Sequence, residues 1–127
     1  MRKLNLLSVF VFLLLSHLTL QAQSEGIIIV TTVEYLDLLD GGESRLYITT
    51  PDGKTEEVPL KGLYSFGGYI SEKKVNANDS TVAKRLNELQ KRGWSILTAT
   101  ASTQPRTESG KPPCILTRYI LVRNNQN

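Results

Sequence analysis

Beyond its first 22 residues the chain has no histidine, because the single one, His17, lies within them, and it has one cysteine in all. Without an imidazole, Ser-His-Asp and Cys-His catalysis of the usual kinds are excluded. One thiol alone does not complete a tetrahedral zinc set either. A lone Cys114 forms no intrachain disulfide, so stability must come from packing. Cys114 follows Pro112-Pro113 and opens an apolar run, which predicts a buried, inert thiol. An intermolecular disulfide or a reactive thiol would need an exposed, electropositive setting.

A strong charge of one sign is also missing. Fifteen Lys and Arg against 12 Asp and Glu leave +3, and setting aside Arg2 and Lys3 of the leader lowers this to +1. Nucleic-acid binding needs a basic stripe that releases counterions, so no nucleic-acid partner is expected. Lys84, Arg85, Lys91 and Arg92 cluster, but at helical spacing they read as a solvated face.

No apolar run reaches the length of a membrane span. Leu4 to Leu20 is broken by Asn5, Ser8, Ser16, His17 and Thr19, and its longest stretch without a polar residue is Val9 to Leu15, whereas a spanning helix takes about 20 residues. Arg2-Lys3, the apolar run and the small Ala22 have the layout of a secretory signal peptide cleaved after Ala22. The expectation is a periplasmic or secreted protein, with no membrane association after cleavage and no lipid anchor. Residues 23–127 then make one domain with a frayed tail at 124–127.

Within that domain, Gly26 to Leu36 is rich in β-branched residues and apolar on both faces, as in a strand inside a sheet. A turn at Asp40-Gly41-Gly42 leads to "RLYITT", and Pro51-Asp52-Gly53 joins it to "KTEEVPL" in hairpin chemistry. Pro59 places that second arm at an edge. Residues 61–77 read as a loop with some extended character. Asn78, Asp79 and Ser80 are each good helix N-caps, and Val82, Leu86 and Leu89 fall on one helical face. Lys91 and Arg92 complement the dipole of the last turn. Gly93 is the expected left-handed stop, with Trp94 folding back onto Leu89. "WSILTATA", a polar loop over 102–113 and the final strand "CILTRYILVR" complete the chain. The order predicts an α+β domain: an antiparallel sheet of four to five strands with one helix packed on one face.

Several strings mimic chemistry. Ser71-Glu72-Lys73-Lys74 satisfies S-x-x-K, but the companion motifs of penicillin-recognising enzymes are absent. Asn78-Asp79-Ser80 is a formal glycosylation sequon, better explained as helix capping. Asp37, Asp40 and Glu43 surround two glycines without the spacing of a calcium loop. "SFGGYI" lacks the lysine and the spacing of a phosphate loop. No metal and no cofactor is expected.

Leu86-Asn87-Glu88-Leu89, Gly93-Trp94 with its strand, and the closing Tyr119-Ile120-Leu121-Val122-Arg123 resemble the domain-of-unknown-function 4177 family, most closely its exported members, in which an Asp-Gly-Lys hairpin such as Asp52-Gly53-Lys54 precedes the helix. The likeness covers residues 78–123 well, and the preceding half only by order of elements. The family often has an acidic residue where this chain has Ser95. The resemblance implies a fold and carries no established chemistry.

The remaining candidate is the aromatic and glycine-rich stretch. Tyr64, Phe66 and Tyr69 could form a recognition surface for a protein or a glycan, although aromatics folded onto the sheet to enlarge a small core is the preferred reading. Together these observations lead to an exported, non-catalytic interaction or accessory module. The alternatives are a homo-oligomeric structural subunit that associates through strand edges or the apolar final strand, and a carboxylate- or lysine-dependent enzyme.

Overall fold

The computed structural model describes residues 26–36, 43–106 and 112–123. The expected signal peptide, Asp37, Asp40, Gly41-Gly42, the middle of the polar loop and the 124–127 tail lie outside the described residues. Five strands and one long helix are ordered as β1 (Ile27–Tyr35), β2 (Arg45–Thr49), β3 (Thr55–Pro59), α1 (Glu72–Lys91), β4 (Trp94–Gln104) and β5 (Cys114–Arg123). The strands form one antiparallel sheet in the order β3-β2-β1-β5-β4, so the architecture is α+β. The twice-apolar β1 occupies the centre, and Pro59 closes an edge strand, where a missing amide costs no ladder bond. β4 runs three residues further than its apolar pattern suggested, because Ser102, Thr103 and Gln104 continue the ladder opposite Leu116, Ile115 and Cys114. Leu97 is left without a rung at a bulge between Ile96 and Thr98, and its side chain is exposed.

Residues directly opposed across an antiparallel ladder point to the same side. Ile28 and Val30 of β1, Leu46 and Ile48 of β2, and Leu121 of β5 share one face, and Val82, Leu89 and Trp94 join them in a single buried cluster, with Val58, Leu86 and Tyr119 packed against it. Each fully buried Leu or Val contributes about 2 kcal/mol, and this cluster is the core. Arg123 lies over the Trp94 ring at 5.4 Å, a cation–π contact that closes the end of the core where α1 hands over to β4.

The helix stops as its sequence predicts. Gly93 has φ +86°, its amide donates to the Gln90 carbonyl at 2.9 Å, and the Arg92 amide donates to that of Leu89 at 3.0 Å. Its start is different. Asn78, Asp79 and Ser80 do not cap the helix; Ser71 does, from an extended conformation and without a side-chain bond. The Ser71 carbonyl accepts from the amides of Lys74 and Val75, both at 3.0 Å. Residues 72–77, expected as loop, are thus helical. Val75, Asn78, Val82, Leu86 and Leu89 fall at helical spacing on one face.

Asn78 is 2% exposed on that face. Its Oδ1 accepts the Lys61 amide at 2.8 Å, while Nδ2 donates to the Lys61 carbonyl at 2.9 Å and to Glu34 Oε1 at 2.8 Å. A cap would have spent the same oxygen on a helix amide. Here it secures another segment instead, and the sequon asparagine is closed to glycosylation. Cys114 is free and buried, as expected.

Candidate functional site

Two hairpin turns project from this frame with the same hydrogen-bond pattern. In the turn joining β2 to β3, the Gly53 amide donates to the Thr50 carbonyl and the Thr50 amide to the Lys54 carbonyl, both at 2.9 Å. In the second, the Gly68 amide donates to the Ser65 carbonyl and the Ser65 amide to the Tyr69 carbonyl, both at 3.0 Å. Gly53 and Gly68 have φ +81° and +75°. A three-residue loop that ends on a left-handed glycine makes this pattern, and glycine adopts the required φ without strain. Even the first residue matches: Thr50 Oγ1 donates to the Lys54 carbonyl at 3.0 Å, and Ser65 Oγ to that of Tyr69 at 3.2 Å.

The side chains differ. Asp52 accepts from Thr50 Oγ1 at 2.5 Å and pairs with Lys54 at 2.7 Å. The Lys54 hydrogen bond, followed by that of Thr50, lowers the Asp52 pKa to about 2, and Asp52 in return raises that of Lys54. The first turn therefore satisfies its own polar groups. The second presents Phe66 at 97% exposure and Tyr69 at 66%, with Ile70 at 50% behind them. Tyr64, half-buried, pairs with Ile70 in an isolated bridge at the base. Phe66 and Tyr69 are therefore not folded onto the sheet. The Tyr69 ring lies over Gly67, where an added methyl would collide with it.

The base of this turn is tied down on three sides. Leu63, 4% exposed, donates its amide to Tyr35 at 3.0 Å and accepts from the Ser71 amide at 2.9 Å. Lys74 Nζ donates to the Tyr64 carbonyl at 2.6 Å. Asn78 holds both backbone groups of Lys61. The tip is therefore presented from a fixed position, as a contact surface must be to avoid the entropic cost of ordering on binding. Sequence reasoning found the aromatics but missed Asn78 and Lys74, whose roles depend on partners 17 and 10 residues away. The signal available for Asn78 was a polar residue at an apolar position of the helix.

The other sequence candidates fall into structural roles. Ser71 is the helix N-cap and Lys74 serves the turn, so S-x-x-K carries no nucleophilic pair. Glu43 closes on Arg45. Gly93 and Trp94 form the corner between helix and strand. Among the described residues no group of His, Cys, Asp and Glu could hold a metal ion, and no helix is long and apolar enough to cross a membrane. A groove of about 420 Å³ runs between α1 and the β2–β3 hairpin over Ile28, Ile48, Leu89 and Trp94. Arg85 spans its rim, reaching Glu56 at 2.9 Å and Glu88 at 3.0 Å. The bond to Glu56 joins helix to hairpin, so the groove reads as a seam of the fold.

No family model, no curated protein and no solved structure matches the chain.

Proposed function

We propose that this chain is an exported, non-catalytic interaction module that seats a partner protein on the turn at residues 65–69, with Phe66 and Tyr69 as the principal contacts and Tyr64 at their base. Membership of the domain-of-unknown-function 4177 family belongs to the same proposal and adds a fold without a chemistry. The observation that carries it is the near-complete exposure of Phe66 beside Tyr69 and Ile70, on a turn whose twin in the same protein needs no apolar residue. Clustered exposed apolar side chains mark contact sites, and aromatic residues are enriched at protein interfaces. A catalytic reading lacks support of this kind, since Lys74 is engaged in holding the turn and Glu34 accepts from Asn78, which ties its base.

Crosslinking of the chain in its native envelope, followed by capture, tests the proposal. A partner recovered with the natural sequence and lost in Phe66→Ala and Tyr69→Ala, at unchanged thermal stability, is the expected result. Recovery of the same partner with both residues replaced, or capture of glycan alone, would overturn it.

A further inference from the structure

The side of the sheet away from α1 breaks the usual rule for an antiparallel sheet, in which a face left to solvent alternates to polar. The outer strands obey it. β2 and β3 turn Arg45, Tyr47 and Glu57 to that side, and β4 turns Ser95, Thr98 and Thr100 to it. The two central strands do not. Ile27, Ile29 and Val33 of β1 and Leu116, Ile120 and Val122 of β5 form an apolar stripe there. None of them belongs to the buried cluster, and among the described residues no helix or second sheet lies over them. We infer that a second copy of this chain covers the stripe, the two sheets packing face to face about a two-fold axis parallel to β1.

Size and charge single out this occupant. The strands hold 9, 5, 5, 11 and 10 residues, a face of roughly 630 Å² at about 4.8 Å and 3.3 Å per step, within the range of about 600–1,000 Å² that a stable interface takes from each side. An isologous interface must also be complementary to itself. One row across the sheet reads Thr100, Arg118, Thr31, Tyr47, Glu57. A two-fold axis through β1 exchanges its two halves, setting Arg118 over Tyr47 of the second copy and next to its Glu57. Arg118 is exposed with no ion-pair partner among the described residues. Glu57 has no ion-pair partner among the described residues, and Glu43 already closes Arg45. The row thus holds a cation and an anion, each without an ion-pair partner among the described residues, on opposite sides of the axis, and an apolar centre within a polar rim is the anatomy of an interface. This surface is separate from the 65–69 turn, so the two proposals stand or fall apart.

Sedimentation velocity on the full chain, expressed with its leader and purified as the cell processes it, tests the inference. A concentration-dependent monomer–dimer equilibrium is expected. Arg118→Glu and Glu57→Arg should each weaken it about tenfold, and the double variant R118E/E57R should restore it. Ile120→Glu should give a monomer, with far-ultraviolet circular dichroism reporting that α1 and the sheet are retained. If Ile120→Glu unfolds the chain, the charge pair alone decides. A monomer at every concentration overturns the inference, whether the leader or nothing covers the stripe. So does a dimer indifferent to the charge reversals, or one that the double variant fails to restore.

Discussion

The turns at residues 50–54 and 65–69 share backbone, hydrogen bonds and a left-handed glycine in the same place, yet one is closed on itself and the other leaves its aromatic side chains in solvent. In the first, Asp52 bonds Thr50 and Lys54, leaving no side chain in need of another molecule. In the second, the same positions hold Ser65, Gly67 and Tyr69, with Phe66 where the first has Pro51, and the aromatic side chains project into solvent. Their supports differ as well. The first turn is carried by the ladder between β2 and β3, whereas the second has a single bridge and borrows Asn78 and Lys74 from the helix. A turn that the fold holds from outside, while its own residues contribute no contact to the core, is accounted for by what it presents.

The largest expected effect separates those supports. Asn78→Ala leaves the Lys61 amide and carbonyl and the Glu34 carboxylate without their partner, a loss of about 2–4 kcal/mol for a buried group with three hydrogen bonds, one of them to a charge. Hydrogen exchange should accelerate over residues 62–70 and stay unchanged at 50–54. Equal acceleration in both turns would mean that Asn78 supports the whole fold and not one turn.

Next come the glycines. An added Cβ meets nothing within 4 Å at Gly53, Gly68 or Gly93, all at positive φ, so alanine adds backbone strain alone. Chemical denaturation of Gly53→Ala and Gly68→Ala should show similar losses of about 1 kcal/mol. Gly93→Ala should lose somewhat more, because the helix stop and the placement of Trp94 depend on it. A harmless Gly68→Ala would break the equivalence of the two turns.

Phe66→Ala should change stability by less than about 0.5 kcal/mol, as surface substitutions do, while abolishing partner capture. A marked drop in melting temperature would return Phe66 to the core and sink the proposed site. The smallest effect belongs to pH. The folded pKa of Asp52, about 2, lies below its ordinary 3.8, so its contribution is complete above the ordinary value and is lost as pH falls through about 2. Carboxyl chemical shifts followed by NMR should give that midpoint, and Lys54→Ala should raise it. The turn at 65–69 has no carboxylate and should show no matching acid response.

Much of the architecture was legible because it rests on local rules. Alternation and β-branching marked the strands, Pro59 marked an edge, and Gly93-Trp94 marked the helix stop, each through a steric or hydrogen-bonding limit within a few residues of itself. The helix start was misread for the opposite reason. Asn78-Asp79-Ser80 satisfies every local criterion for a cap, but the Asn78 amide had Lys61 and Glu34 within reach. The three hydrogen bonds of the buried Asn78 side chain outweigh one cap worth about 1 kcal/mol. Phe66 and Tyr69 were recognisable as candidates, but whether they fold inward depends on a bridge at Tyr64 and Ile70 and on the Gly68 turn, which no periodicity announces.

The amino-acid sequence by itself determined the fold class and the element order, because residue type and spacing alone decide those. Only the tertiary structure decided which strands lie side by side, where the helix begins and which apolar residues remain uncovered. Each of those is a competition between groups far apart in the chain, settled by burial and hydrogen bonding once they meet.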